Sequence, residues 1–129
     1  MSEFVLDASA VLAYLNDEPG ADKVAAILEH GGAVIGAANH AEVAAKLIVL
    51  GLPQQEAAKV MRALELEVVP LDAETAWISA LLVAMTKPFG LSLGDRCCLA
   101  LGAHIGLPVL TADRVWADIQ LDLDVRLIR

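Results

Sequence analysis

The fold is decided by the stretch Phe4-Val5-Leu6-Asp7-Ala8-Ser9-Ala10-Val11-Leu12-Ala13-Tyr14-Leu15. Three apolar residues run directly into an acid, and a short apolar run that ends at a polar residue is typical of a buried strand. After Asp7 the apolar residues Val11, Leu12 and Leu15 follow helical spacing. Asp7 therefore stands where a predicted strand ends and a helix begins, and ligands of open α/β sheets bind beyond the carboxyl ends of the strands.

Length and composition predict one domain over residues 1–129. The hydrophobic fraction is 57% and the mean hydropathy is +0.61, which supplies ample apolar material for a core. No apolar run reaches the ~18 residues that a membrane-spanning helix needs. The start Met1-Ser2-Glu3 lacks the positive charge of a secretory signal. We therefore expect a cytoplasmic protein without membrane association.

The charge balance limits how the protein can approach nucleic acid. The net charge is -8 and the isoelectric point is about 4.6. A protein that holds nucleic acid through a basic surface neutralises phosphates with Lys and Arg, and this composition argues against such a surface. Two options remain, namely a basic partner or an anionic substrate that is reached through bound cations.

Strands and helices alternate along the rest of the chain. Strands are predicted at residues 33–36, 68–71, 107–111 and 121–127, the last as an edge strand because apolar and charged residues alternate strictly. Helices are predicted over residues 21–30, 39–50, 53–64, 72–85 and 92–105, with a loop at 86–90. This order predicts a mainly parallel sheet of four to five strands with helices on both faces, whose strand-to-helix junctions share one edge.

Several residues also have a purely structural interpretation. Asn39 with Glu42, and Ser92 with Asp95, have the three-residue spacing of a capping box. Trp77, on the predicted apolar face of helix 72–85, is expected in the core.

Trp116 is likewise expected in the core. Cys97 and Cys98 are adjacent and lie in an apolar helical stretch, so they cannot form the C-x-x-C motif of redox or metal sites. We interpret them as small core side chains of a reducing compartment.

Four acids are expected at the shared edge of the sheet. Asp7 and Asp113 follow strands directly, whereas Glu42 and Asp95 lie in the first turns of helices. Each alone could cap a helix or complement its dipole. Together they would repel one another by roughly 1 to 4 kcal/mol per pair at ~4 Å. Such a site raises some pKa values or binds a cation, and carboxylates without Cys or His suit Mg²⁺ or Mn²⁺.

Four segments in order resemble the motifs of PIN domains, and particularly of VapC-type toxins. They are residues 5–13 around Asp7, 39–43 around Glu42, 91–101 around Asp95 and 111–116 around Asp113. The closing residues 125–129 are similar to the last strand of that family. The resemblance covers the whole chain and implies a PIN-like three-layer α/β/α sandwich.

The resemblance implies a divalent-metal-dependent endoribonuclease that is the toxin of a type II toxin–antitoxin pair. Position by position, Asp7, Glu42 and Asp95 would coordinate the principal Mg²⁺ (or Mn²⁺), and Asp113 would complete the site or hold a second metal. These four acids are the predicted catalytic residues. Their metal would activate water and cut an RNA phosphodiester bond.

Further residues near the acids have predicted supporting roles. Ser9 and Thr111 would orient carboxylates or metal-bound water through their hydroxyls, although both could equally be caps. Arg96 and Arg114 stand beside site acids and would either contact substrate phosphate or offset the local negative charge.

The partners follow from charge and from the resemblance. A cognate antitoxin would bring a basic segment into the acidic edge and displace the metal. Its hydrophobic part would cover apolar helices near Leu47, Ile48 and Leu50. The resemblance also implies a homodimer.

Other protein classes compete with this interpretation. A haloacid-dehalogenase-like phosphohydrolase expects a second Asp two residues after the first, and this chain has Ser9 there. A receiver domain expects a phosphorylated Asp after a central strand, and residues 68–70 offer none. A catalytically inactive PIN-like module that binds a basic peptide is the third alternative, against which the presence of all four acids argues.

Overall fold

A computed structural model describes residues 2–129 and contains a five-stranded sheet in which every strand pair is parallel. The strands are β1 (Phe4–Leu6), β2 (Ala33–Gly36), β3 (Glu67–Val69), β4 (Val109–Thr111) and β5 (Val125–Leu127). Their order across the sheet is β3-β2-β1-β4-β5. The predicted parallel sheet of four to five strands is confirmed. The chain runs outward from β1 to β3 on one side and resumes with β4 on the other.

Seven α-helices connect the strands in the described part of the chain. They are α1 (Ala8–Leu15), α2 (Ala21–Glu29), α3 (Ala37–Val49), α4 (Gln54–Ala63), α5 (Ala73–Leu81), α6 (Val83–Thr86) and α7 (Leu93–Ile105). Two 3₁₀ turns lie at Lys87–Phe89 and Arg114–Asp118. None of these helices, within residues 2–129, is long and apolar enough to cross a membrane.

Alternation along the strands divides the core between the two faces of the sheet. Leu6, Ile35 and Leu110 pack on one face with side chains from helices α1 to α4. The intervening residues Val5, Val34 and Val109 pack on the other face. Their partners there are the interior of α7 and the 3₁₀ turn that holds Trp116. The result is the predicted three-layer α/β/α arrangement, and the buried Trp116 confirms one core prediction.

Helix α3 begins earlier than its capping pattern predicts. Gly36 has extended backbone angles, φ -70° and ψ 150°, and Ala37 is already helical. Strand β2 therefore passes directly into α3, and Asn39 is the third helical residue rather than its cap. The capping-box interpretation of Asn39 and Glu42 is wrong, which leaves the Asn39 side chain free to reach other elements.

Helix α5 turns a different face inward from the one that its apolar residues predict. It packs against α7 through Thr75 and Ser79, which are both buried. Small polar side chains allow the two helices to approach closely. Trp77 consequently lies outside with 66% of its surface exposed, so its assignment to the core is wrong.

The remaining differences concern segment ends. Residues 86–90 are not a loop, because α6 and a 3₁₀ turn continue through Phe89 before Gly90 reverses the chain at φ 75°. Strand β5 is an edge strand as predicted but comprises Val125–Leu127 only. Cys97 and Cys98 are both buried and free, as expected for core side chains.

Candidate active site

Asp7 lies where β1 and β4 run side by side and the strand order reverses, which is where α/β sheets bind ligands. Its backbone N–H donates to the Leu110 carbonyl at 2.9 Å, and this bond fixes Asp7 beside the end of β4. Asp7 occupies the N-cap position of α1, yet its side chain makes no capping hydrogen bond. The carboxylate, on a residue only 3% exposed, is therefore available for another purpose.

Two hydroxyl groups hold the Asp7 carboxylate. Ser9 Oγ donates to Asp7 Oδ2 at 2.6 Å, and Thr111 Oγ1 donates to the same oxygen at 2.8 Å. Each hydroxyl also accepts a backbone N–H, Ser9 from Ala112 at 3.0 Å and Thr111 from Asp113 at 3.1 Å. The backbone bonds orient both hydroxyls, so their protons point at Asp7 and leave Oδ1 unclaimed by these groups.

The Asp7 carboxylate is destabilised in its charged form. Burial is the largest cause and raises the pKa of Asp7 from 3.8 to about 6. The hydrogen bonds from Ser9 and Thr111 lower the pKa, whereas the charges of Asp95 and Glu42 raise it. These two acids are distant in sequence, and the fold brings their charges close enough to act on Asp7.

Glu42 lies on α3 with its carboxylate against the start of α7. A Cβ placed on Gly94 would stand 2.6 Å from Glu42 Oε1, which shows how closely the two residues pack. Asn39 Nδ2 donates to Glu42 Oε1 at 2.9 Å. The pKa of Glu42 is raised, first by burial of the carboxyl group and then by the charge of Asp95, against the lowering effect of Asn39. The residue as a whole is exposed, so the burial of its carboxyl group is partial.

Asp95 is both part of the N-terminal cap of α7 and one of the predicted site acids. It is half-buried in the first turn of α7 and completes a capping box with Ser92. Ser92 N–H donates to Asp95 Oδ2 at 2.9 Å, and Asp95 N–H donates to Ser92 Oγ at 3.2 Å. This capping prediction is confirmed. The same bond turns the Asp95 carboxyl group to a fixed direction at the helix N-terminus, where the helix dipole favours negative charge.

Asp113 stands apart from the other three acids. It is exposed, and its Oδ1 accepts from Val115 N–H at 3.2 Å at the start of the 3₁₀ turn. Its link to the site is its backbone N–H, which orients the Thr111 hydroxyl. The charges of Glu42 and Asp95 thus act on Asp7, whereas Asp113 is linked to the Asp7 carboxylate through the Thr111 hydroxyl.

The two predicted phosphate-contacting arginines lie differently. Arg96 Nε donates to the Ser79 carbonyl at 3.2 Å and so joins α7 to α5. Arg114 is exposed at the start of the 3₁₀ turn, next to Asp113. The Arg114 side chain is therefore accessible to a substrate, whereas Arg96 already donates to a carbonyl within the fold.

Sequence reasoning missed two residues of this site. Asn39 contacts Glu42 and also donates to the Gly94 carbonyl at 3.0 Å, and Gly94 leaves room for the Glu42 carboxylate. An amide three residues before an acid on the same helix face is a signal that could have identified Asn39. Nothing local marks Gly94, because its contact comes from a different helix.

The donor set fits a hard divalent cation in its chemistry. Asp7, Glu42 and Asp95 supply carboxylate oxygens. Burial first, and then the charge of neighbouring acids, raises the pKa values of Asp7 and Glu42, and a bound cation would offset both effects. The side chains do not already stand at ligand distances, since no group of three or more acidic, His or Cys residues among residues 2–129 is spaced to hold a metal. Binding would therefore require at least one of the three carboxyl groups to move toward the other two.

The sequence model of the PIN domain family matches residues 4–121. The chain belongs to the PIN domain family. Members of this family are generally nucleases that use divalent metal ions. This membership argues against the haloacid-dehalogenase and receiver alternatives, and the matched range includes the four segments that carry the resemblance.

Solved structures of PIN-domain complexes share the fold. A chain of DNA-bound VapBC from Salmonella typhimurium superposes with a TM-score of 0.76 at 17% identity over 100% of both chains. A chain of VapBC2 from Rickettsia felis, bound to a promoter DNA fragment, gives 0.75 at 13% identity over 96% of this chain and 97% of that one. A toxin–antitoxin complex from Klebsiella pneumoniae gives 0.71 at 17% identity over 98% of each. No curated protein sequence matches the chain.

Proposed function

We propose that this PIN domain is a divalent-metal-dependent endoribonuclease and the toxin of a type II toxin–antitoxin module. The observation that carries the proposal is the buried Asp7 carboxylate at the reversal of the strand order, faced by the charges of Glu42 and Asp95. A buried carboxylate with two acidic neighbours is unfavourable for folding alone, so it points to a ligand that the fold is built to receive.

Asp7, Glu42 and Asp95 would hold Mg²⁺ or Mn²⁺, with Asp113 completing the site or holding a second ion. A bound ion supplies polarisation of a phosphoryl oxygen and activation of water. Ser9 and Thr111 favour the ionised form of Asp7 and turn its carboxylate in one direction, because both donate to Oδ2. The capping bond from Ser92 fixes the direction of the Asp95 carboxyl group.

Substrate binding would use the cationic groups at the margin of the acids. Arg114 is exposed beside Asp113 and is free to contact a phosphate next to the cleaved bond. Arg96 is held by Ser79, so its guanidinium can offset the local negative charge with less freedom to follow a substrate. With a net charge of -8, the surface contributes little to RNA affinity, and selection rests on the site itself.

The antitoxin would occupy the groove between α3 and α4. This groove has a volume of about 490 Å³ and is lined by apolar and small side chains, among them Ala44, Ile48, Ala57 and Met61. Leu47 itself is buried, so the expected apolar contact surface near it consists of its exposed neighbours.

The neighbours of Leu47 form the apolar rim instead, since Ile48, Val49 and Leu50 are 55%, 79% and 58% exposed. The solved relatives from Salmonella typhimurium and Rickettsia felis are VapBC complexes, which supports a protein partner of this kind. A basic segment of the antitoxin would reach the acidic edge beside Asp7 and replace the metal ion. We further expect a homodimer in the cytoplasm.

The decisive experiment is RNA cleavage by purified protein with Mg²⁺ or Mn²⁺, with EDTA, and with the Asp7→Asn variant. We expect metal-dependent cleavage that both the chelator and Asp7→Asn abolish. Asp22→Asn is the matched control, because it makes the same substitution at an exposed residue of α2. It should leave cleavage unchanged.

Cleavage that is equal with and without chelator would overturn the metal-dependent mechanism. Preference for DNA over RNA of the same sequence would overturn the assigned substrate class. A protein that binds no Mn²⁺ and cleaves nothing, yet captures a basic peptide, would instead be the inactive binding module.

A further inference from the structure

The backbone conformation at Gly94 does not require glycine. It is the second residue of α7, and it is not among the glycines with positive φ. Alanine is favoured over glycine at such helical positions because glycine loses more conformational freedom on folding. Some contact outside the helix must therefore account for the absence of a side chain.

The contact is the Glu42 carboxylate. A Cβ on Gly94 would lie 2.6 Å from Oε1, 2.7 Å from Cδ and 2.8 Å from Oε2 of Glu42. Because all three atoms of the carboxylate are nearly equidistant, the group lies flat over the Gly94 Cα. Any larger residue at position 94 would displace it.

Asn39 holds the same carboxylate from the other side. Its side chain is fully buried, and Nδ2 donates both to Glu42 Oε1 at 2.9 Å and to the Gly94 carbonyl at 3.0 Å. Both partners are acceptors, so only the amide nitrogen can face them. Asn39 Oδ1 has no hydrogen-bond partner within residues 2–129, which shows that the amide is committed to these two acceptors.

We propose that Gly94 and Asn39 are positioning residues that together set the place of the Glu42 carboxylate beside Asp95. The inference rests on the proposed function, in which Glu42 is a metal ligand. Glutamate has three freely rotating side-chain bonds, and a ligand that is already held in place loses less freedom when an ion binds. The start of α7 thus presents two acids, its own Asp95 and the Glu42 that it holds from α3.

The test is Gly94→Ala. The atoms that the new methyl group meets are the far end of a flexible side chain, so Glu42 moves and the fold stays intact. We expect an unchanged or higher Tm, together with an affinity for Mn²⁺ alone that falls about 10-fold, in the range for loss of groups that orient metal ligands. In the metal-free protein, the side-chain amide signals of Asn39 should shift in NMR spectra because Glu42 has left.

Three further substitutions separate positioning from a general effect. Gly32→Ala makes the same chemical change where the added Cβ lies 3.8 Å from Glu3, so Mn²⁺ affinity and the Asn39 signals should stay unchanged. Glu42→Asp in the Gly94→Ala background should recover part of the affinity, since the shorter side chain withdraws from the methyl group. Glu42→Gln and Gly94→Ala should be non-additive, because both act on one ligand.

The outcomes distinguish this proposal from the proposed function. If Gly94→Ala keeps both the Mn²⁺ affinity and the Asn39 signals of the wild type, the positioning role is wrong. If the wild type binds no Mn²⁺ and cleaves no RNA, the proposed function fails, and the Asn39 signals alone then decide whether Gly94 and Asn39 hold Glu42. A lower Tm with signal changes throughout the spectrum would show a packing role and overturn the proposal.

Discussion

Asp7 is the residue at which stability and function conflict. Its pKa is about 6 in the folded protein against 3.8 for an unperturbed carboxyl group, chiefly because it is buried. Between these pH values the folded state binds more protons than the unfolded state, so stability decreases as the pH rises toward 6 and levels off above it. At neutral pH, the ionised Asp7 therefore lowers the free energy of unfolding of the metal-free protein by ~3 kcal/mol.

Asp7→Asn should therefore stabilise the metal-free protein while abolishing cleavage. Urea unfolding in EDTA at pH 7.5 should show a gain of as much as ~3 kcal/mol, reduced by any buried amide hydrogen left without an acceptor. At pH 4 the gain should nearly vanish, because Asp7 is then protonated. Equal stability of the variant and the wild type at pH 7.5 would contradict the assigned pKa.

Thr111→Val tests the hydroxyl that orients Asp7. The substitution keeps the shape of the side chain but removes the donor at 2.8 Å from Asp7 Oδ2. Affinity for Mn²⁺, measured by isothermal titration calorimetry, should fall about 10-fold because the carboxylate is both less stable and less oriented. Thr86→Val is the matched control, since this buried hydroxyl donates only to the Leu82 carbonyl. An equal loss of affinity in both variants would exclude a specific role for Thr111.

The sequence predicted part of this site for a definite physical reason. Asp7 and Asp95 were identifiable because each follows a local signal, a strand end and a capping box respectively. Asn39 and Gly94 were not, because their roles depend on how α3 packs against α7, and that packing brings together residues far apart in the chain. Local patterns specify where elements begin and end, whereas contacts between elements require the tertiary structure.

At the scale of elements, α7 contains two glycines whose replacement by alanine should affect stability differently. A Cβ on Gly102 would overlap Val109 Cγ2 and lie 3.1 Å from the Leu107 carbonyl, so this glycine lets the helix approach β4. Gly102→Ala should destabilise the fold by about 1–3 kcal/mol through overpacking, unlike Gly94→Ala. Thermal unfolding measures the effect, and Val109→Ala in the same background should recover part of it. A Gly102→Ala protein as stable as the wild type would contradict this close packing.

Helix α5 shows why apolar periodicity alone assigned the wrong face. Its large apolar side chains suggest a buried stripe, yet its inward face consists of Thr75 and Ser79. The Ser79 hydroxyl donates to the Ala76 carbonyl at 2.8 Å, and Arg96 Nε donates to the Ser79 carbonyl. Because the polar groups are paired locally, the helix can bury them at little cost and leave its apolar residues outside.

At the scale of the whole molecule, residues 77–93 include five large exposed apolar side chains, which we call the exposed apolar set. They are Trp77, Leu81, Met85, Phe89 and Leu93, and they are 66%, 60%, 44%, 37% and 62% exposed. A set of large exposed side chains on a small protein is a typical association surface. Leu93 adjoins Gly94, so one member of this set lies at the start of α7.

We expect the exposed apolar set to form the interface of the proposed homodimer. Sedimentation of the wild type should give twice the 13.6 kDa of one chain, and Leu81→Glu should give the monomer because an unpaired charge cannot be buried there. Val49→Glu, at a residue 79% exposed near the other groove, is the matched control and should stay dimeric. Tryptophan emission should shift to longer wavelength in Leu81→Glu, because Trp77 becomes hydrated while Trp116, 1% exposed, does not change. If Leu81→Glu keeps the mass of the wild type, or Val49→Glu becomes monomeric, the dimer forms through another surface.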